Sequence, residues 1–66
     1  MNKFKEIRKT LGMKQATVAR SLKVAQSTVS MWERGLTFPT GKMLIRVADI
    51  YGCTTDELLG RETKDV

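Results

Sequence analysis

The segment from residue 15 to residue 35 has two short stretches of apolar residues at helical spacing. The apolar positions are Val18, Ala19, Leu22, Val24, Val29 and Trp32. Residues three and four apart lie on one face of a helix, so each stretch predicts a short amphipathic helix. Val24 lies between them and predicts an apolar plug in a tight turn. Each predicted helix is too short to be stable alone, and the two must therefore share a core.

The second of these helices also has a face that no core requires. Its residues are polar with one soft apolar member: Gln26, Ser27, Ser30, Met31 and Arg34. We call this set the outer face. Because it lies opposite Val29 and Trp32, we expect it to be open to a partner.

Three further helices are predicted around this pair. Helix one runs from Lys3 to Leu11, with Asn2 as its cap and Gly12 ending it. Its apolar face is Phe4, Ile7 and Leu11. Helix two begins near Lys14, and helix three covers about Ala25 to Arg34, with Ala25 facing inward.

The fourth and fifth helices have clear boundary signals. Thr40 caps helix four and Gly52 ends it. The apolar face of helix four is Leu44, Val47, Ala48 and Tyr51, widened by Met43 and Ile45. A Thr-x-x-Glu capping box from Thr54 to Glu57 begins helix five, which ends in Leu58 and Leu59. The sequence thus predicts an all-α, compact five-helix bundle, with one domain over residues 1–60 and a polar tail over 61–66.

Composition excludes several kinds of chemistry. The chain has 66 residues, one cysteine and no histidine, so we expect no internal disulfide, no metal site, no cofactor and no Cys/His catalytic pair. We interpret Cys53 as a buried small hydrophobic residue. No apolar run is long enough for a membrane span and no signal peptide is visible, so we expect a cytoplasmic protein. We expect no enzymatic activity, because the sequence has no histidine, no paired carboxylates in a plausible cleft and no phosphate-binding loop.

The charge is unevenly distributed along the chain. Residues 1–46 carry ten Lys or Arg against two Asp or Glu, a net charge of +8, whereas residues 47–66 carry a net charge of −3. The positive charge therefore accompanies the paired helices. Such a distribution favours a polyanionic partner, although a solvated basic surface is the alternative.

These features together resemble the helix-turn-helix of the Cro and phage-repressor (XRE) family. The resemblance covers residues 4–59 and is carried by Gln15, Ala19, Val24, Val29, the sequence Trp32-Glu33-Arg34-Gly35, Pro39, Leu44 and Ala48. It implies a lambda-repressor-like fold that binds double-stranded DNA. In that arrangement the third helix enters the major groove.

The resemblance assigns a role to each candidate residue. The expected base-reading residues are Gln26, Ser27, Ser30 and Met31, of which Gln26 is the first choice because its amide can form two hydrogen bonds with adenine. The expected phosphate-binding residues are Gln15, Lys14, Thr28, Arg34, Thr37, Lys42 and Arg8. Gln15 is also expected to support the first base-reading residue of helix three. The expected structural residues are an Arg8–Glu33 ion pair and Trp32, which we place in the core rather than in a stack with nucleic acid.

The chain departs from the family pattern at several positions. Met13 and Ala25 stand where Ser or Thr usually caps a helix, and Lys23 stands where the turn usually has glycine. The loop from Gly35 to Pro39 lacks the Lys and Arg of related loops. Phe38 in this loop either folds back onto the core or supports a partner.

The resulting hypothesis is a DNA-binding regulator that acts as a small dimeric repressor. We expect its homodimer interface at Tyr51, Leu58 and Leu59. The alternative is a protein-interaction module, such as the antitoxin of a toxin–antitoxin pair. A more apolar outer face would favour that alternative. RNA binding has weaker support, because the A-form major groove is too narrow to admit a helix.

Overall fold

The computed structural model describes residues 2–60, which form five helices and no strand. The helices are α1 (Phe4–Thr10), α2 (Gln15–Leu22), α3 (Gln26–Glu33), α4 (Gly41–Tyr51) and α5 (Thr55–Leu59). The predicted all-α fold is confirmed, and the predicted helix ends are correct to within a few residues. The tail predicted for residues 61–66 lies outside the described residues.

One core joins all five helices. Its buried apolar residues are Phe4, Val18, Ala19, Leu22, Val29, Trp32, Val47, Ala48, Tyr51 and Leu58. Helices α2 and α3 contribute the apolar positions that the helical spacing predicted, and Val24 packs against the core from the turn. Trp32 is only 5% exposed, and its ring meets Phe4 edge-on with a centroid distance of 6.5 Å. The predicted core role of Trp32 is therefore confirmed.

The helix ends follow the local chemistry of the sequence. The Thr40 side chain accepts a hydrogen bond from the Met43 N–H, and Thr54 and Glu57 form the predicted reciprocal capping box. Gly52 ends α4 in the left-handed region. These cap hydrogen bonds mark where α4 and α5 begin.

Two predictions about caps need correction. The N-cap of α1 is Lys3, although the Asn2 carbonyl oxygen Oδ1 does accept from the Phe4 N–H. The N-cap of α2 is Lys14 rather than Met13, and neither Lys14 nor Ala25 forms a side-chain cap. Ala25 is also exposed, because a residue at the N-cap has left the helical path that would turn it toward the core.

Several apolar residues are more exposed than the spacing predicted. Leu11 lies beyond the end of α1 and is 49% exposed, while Ile45 is 56% exposed on the flank of α4. Cys53 is half-buried rather than buried, and burial raises the pKa of its thiol. Apolar spacing shows which side of a helix is inside, but it does not show how far that side extends.

Two of the three residues predicted to form the dimer interface are buried inside the chain. Tyr51 and Leu58 are 5% and 0% exposed, because α4 and α5 pack against each other and against the rest of the bundle. Desolvation by the core raises the pKa of Tyr51 to about 12. Both side chains therefore pack within a single chain and have almost no surface left for a second subunit. Leu59 is half-buried and keeps some surface.

The turn between α2 and α3 contains a strained residue. Lys23 has φ +60° and ψ +43°, and it is the one residue other than glycine with positive φ among those described. A residue with a Cβ is disfavoured in this left-handed conformation, as was predicted from the missing glycine.

We therefore expect Lys23→Gly to raise the free energy of unfolding by about 1 kcal/mol, because it removes the Cβ that causes the strain. Thermal and denaturant unfolding would measure the change. Lys23→Ala is the matched control, since it removes the same charge and keeps the Cβ. If alanine stabilised the protein as much as glycine, strain at Lys23 would not be the cause.

Candidate nucleic-acid interface

The outer face of α3 is not covered by the rest of the described chain. Gln26, Ser27 and Arg34 are exposed, and Ser30 and Met31 are half-buried. On the opposite side of the same helix, Val29 and Trp32 are 2% and 5% exposed. The helix thus presents hydroxyl, amide and guanidinium groups to the surface while its inner side is anchored.

Several of the residues predicted to bind phosphate are exposed near helix ends or in a loop. Lys14 is exposed at the start of α2, Thr37 is exposed in the loop after α3, and Lys42 is exposed in the first turn of α4. Thr28 is half-buried beside the outer face. Lys14 and Lys42 both lie at helix starts, where backbone N–H groups and the positive end of the helix dipole attract anions.

An ion pair connects α1 to the last turn of α3. Arg8 donates from Nε to Glu33 Oε2 at 2.5 Å and from Nη2 to Glu33 Oε1 at 3.1 Å. Its Nη1 donates to the Met13 carbonyl oxygen at 2.8 Å. The two side chains are only 10% and 2% exposed, and the hydrogen bond to Glu33 raises the pKa of Arg8 against the opposing effect of desolvation. The predicted Arg8–Glu33 pair is present.

This burial disagrees with the phosphate-binding role that was also predicted for Arg8. Each guanidinium nitrogen of Arg8 has a partner within the chain. A phosphate would have to compete with a bidentate carboxylate that has almost no access to water. We therefore withdraw the predicted phosphate-binding role of Arg8 and keep its predicted structural role.

Gln15 extends the ion pair to the outer face of α3. Gln15 Nε2 donates to Glu33 Oε1 at 2.9 Å, and Gln26 Nε2 donates to Gln15 Oε1 at 3.4 Å. The line of contacts therefore runs from Arg8 through Glu33 and Gln15 to Gln26. It gives Gln15 the expected supporting position next to Gln26. The long last bond leaves the Gln26 amide, which is exposed, free to take another partner.

The loop after α3 is ordered by backbone hydrogen bonds. Gly35 has φ +75°, its N–H donates to the Trp32 carbonyl at 3.1 Å, and the Leu36 N–H donates to the Met31 carbonyl at 2.9 Å. This is a Schellman motif, which the sequence analysis missed although the glycine was a signal for it. Phe38 stacks on Phe4 with a centroid distance of 6.1 Å, yet it remains 56% exposed. It folds back onto the core without being buried.

A second contact missed from the sequence lies at the other end of the chain. Asn2 Nδ2 donates to the Trp32 carbonyl oxygen at 3.1 Å, across 30 residues. Nothing in the sequence singled out this pair, because every residue has a carbonyl oxygen.

Two other features are absent from the described residues. No group of three or more His, Cys, Asp or Glu side chains among residues 2–60 could hold a metal ion. In the same part of the chain, no helix is both long and apolar enough to cross a membrane.

Comparison with known proteins gives a consistent result. A family model described as helix-turn-helix matches residues 4–58. The HTH-type transcriptional regulator DicA of Escherichia coli (strain K12) is 41% identical over 58 residues, which are 86% of this chain and 43% of DicA.

Two Bacillus subtilis (strain 168) proteins are also similar. The HTH-type transcriptional regulator AnsR is 36% identical over 62 residues, 94% of this chain and 53% of AnsR. The HTH-type transcriptional regulator ImmR is 30% identical over 60 residues, 91% of this chain and 47% of ImmR. The chain spans about half the length of the curated relatives it matches.

The buried Arg8–Glu33 ion pair should contribute to the stability of the fold. Glu33→Ala should lower the free energy of unfolding by about 3 to 5 kcal/mol, because it leaves the Arg8 guanidinium buried without its partner. Denaturant unfolding would measure this loss. Glu57→Ala, at an exposed carboxylate of the α5 capping box, is the comparison, and losing a cap costs about 1 kcal/mol. If Glu33→Ala cost no more than Glu57→Ala, the pair would not hold α1 to α3.

Proposed function

Because the chain belongs to the helix-turn-helix family, we propose that it is a transcriptional regulator that binds double-stranded DNA sequence-specifically and reads the major groove with α3. The observation that carries this proposal is the uncovered polar outer face of α3, opposite a buried side that fixes the helix. A helix of this kind fits the major groove, where every base pair presents a distinct pattern of donors and acceptors.

The proposed base contacts follow from side-chain chemistry. Gln26 lies at the start of α3, where the first residues of a groove-bound helix reach base edges. Its amide donates to N7 of adenine and accepts from N6 in one plane. Ser27 and Ser30 donate or accept with little base preference, and Met31 packs against the methyl group of thymine.

The proposed phosphate contacts set the affinity rather than the sequence preference. In this proposal Lys14, Arg34 and Lys42 supply positive charge to the phosphates, and Gln15, Thr28 and Thr37 supply uncharged donors. Neutralising phosphates releases counterions, so binding should weaken as salt concentration rises. The net positive charge of residues 1–46 supports this assignment.

A two-fold homodimer is part of the proposal. Two copies of α3 in such a dimer would lie about 34 Å apart and face a near-palindromic site. Of the predicted interface residues, only Leu59 keeps surface in the single chain. Repression is the proposed direction of regulation, through occupancy of the site.

The rival functions have less support. The outer face of α3 has one apolar residue, Met31, whereas a protein-binding face would be more apolar. The relatives are all named as transcriptional regulators, and none of those names points to an antitoxin. The family match and the names of these relatives support a DNA-binding regulator rather than an enzyme.

If Gln26 contacts a base directly, the base preference of the protein should depend on it. Gln26→Ala should remove about 1 to 3 kcal/mol of discrimination at one base pair, because the bidentate contact with adenine is lost. Selecting bound sites from random duplex DNA at one fixed salt concentration, for both proteins, would measure the preference at every position.

Lys14→Ala and Lys42→Ala are the controls for this experiment. Each should weaken binding to all duplexes alike and reduce the salt dependence by about one unit, the effect of one lost phosphate contact. If Gln26→Ala selected the same site as the wild-type protein with the same preferences, Gln26 would not be a reader. If the wild-type protein selected no site, the proposed function itself would be wrong.

A further inference from the structure

Two residues at the start of the chain bind the ends of three helices. The Asn2 carbonyl Oδ1 accepts from the Phe4 N–H at the start of α1, at 3.2 Å, and Asn2 Nδ2 donates to the Trp32 carbonyl in the last turn of α3, at 3.1 Å. The Lys3 N–H donates to the Leu58 carbonyl in α5 at 2.9 Å. Groups at helix ends have no partner within their own helix, and here the N-terminal segment supplies one.

The Asn2 side chain is chemically suited to both of its contacts. An amide has an acceptor oxygen and a donor nitrogen on one carbon, so a single side chain can bind an N–H of one helix and a carbonyl of another. Aspartate offers only acceptors, and alanine offers neither. Asn2 is also half-buried, which limits competition from water.

The last turn of α3 is therefore tied to the N-terminal part of the chain at two points, one in α1 and one just before it. Arg8 holds the Glu33 side chain, and Asn2 holds the backbone one residue earlier, at Trp32. Val29 and Trp32 hold the buried side of α3 in the core, and the two ties at its last turn further restrict how that end of the helix can tilt. A recess beside the second tie is lined by Asn2, Glu33, Arg34 and Gly35, so Asn2 lies close to the C-terminal end of the outer face.

We propose that Asn2 is a positioning residue for base reading: it fixes the direction of α3 in the groove without contacting DNA. This inference rests on the proposed function. Base contacts depend on placement within about half an ångström, whereas phosphate contacts by flexible cations tolerate small shifts. Loss of the Asn2 tie should thus lower affinity for the preferred site more than affinity for other duplexes.

The tie contributes less to stability than to direction. The Trp32 carbonyl also accepts from the Gly35 N–H at 3.1 Å, so removing Asn2 leaves no unsatisfied carbonyl. The Phe4 N–H does lose its acceptor in Asn2→Ala, but it keeps one in Asn2→Asp. The aspartate variant therefore separates positioning from capping of α1.

The test compares wild type, Asn2→Ala and Asn2→Asp. For each protein, thermal unfolding gives the stability, and binding to the selected site and to a scrambled duplex at one salt concentration gives a discrimination ratio. Asn2→Asp should unfold close to the wild-type temperature. Both variants should lose about fivefold in the ratio, the equivalent of one hydrogen bond.

Lys5→Ala is the control for charge. It lowers the net charge by one, as Asn2→Asp does, at an exposed position of α1, and it should leave the ratio unchanged. If Asn2→Asp kept the wild-type ratio, Asn2 would serve only as a cap and the inference would be overturned. If the wild-type protein itself did not discriminate between the duplexes, the proposed function would fail, and this inference with it.

Discussion

The buried ion pair between Arg8 and Glu33 is the interaction on which the arrangement of this protein depends. A charged pair with so little access to water stabilises a fold only when its hydrogen bonds are satisfied. Here the guanidinium binds the carboxylate and the Met13 carbonyl, and Gln15 binds the carboxylate from the other side. The pair thus places α1, the start of α2 and the end of α3 relative to one another.

This fixed arrangement explains how so small a chain can present a polar helix surface. The inner side of α3 is anchored by Val29 and Trp32, and its last turn is held by Glu33 and by the contact with Asn2. No residue of the outer face is needed for the core. The core therefore does not dictate the composition of that face, and its hydrogen-bonding groups are those that duplex DNA accepts.

The sequence predicted the helices well, because local signals mark their ends: Thr40 and Gly52 for α4, and the capping box at Thr54 for α5. It failed for Tyr51 and Leu58, since spacing shows that a residue is apolar but not which neighbour covers it. The Arg8–Glu33 pair was expected only through the family resemblance. The contact from Asn2 to Trp32 joins a side chain to a backbone atom 30 residues away, and no sequence pattern marks such an acceptor.

The most direct measurement is a titration of the isotope-labelled protein with a duplex that contains its selected site, followed by NMR of the backbone amides. The largest shift changes should fall in α3, with smaller ones at the start of α2, in the loop after α3 and in the first turn of α4. Changes concentrated in α5 and the end of α4, with α3 unaffected, would contradict the central claim that the outer face of α3 is the surface that reads DNA.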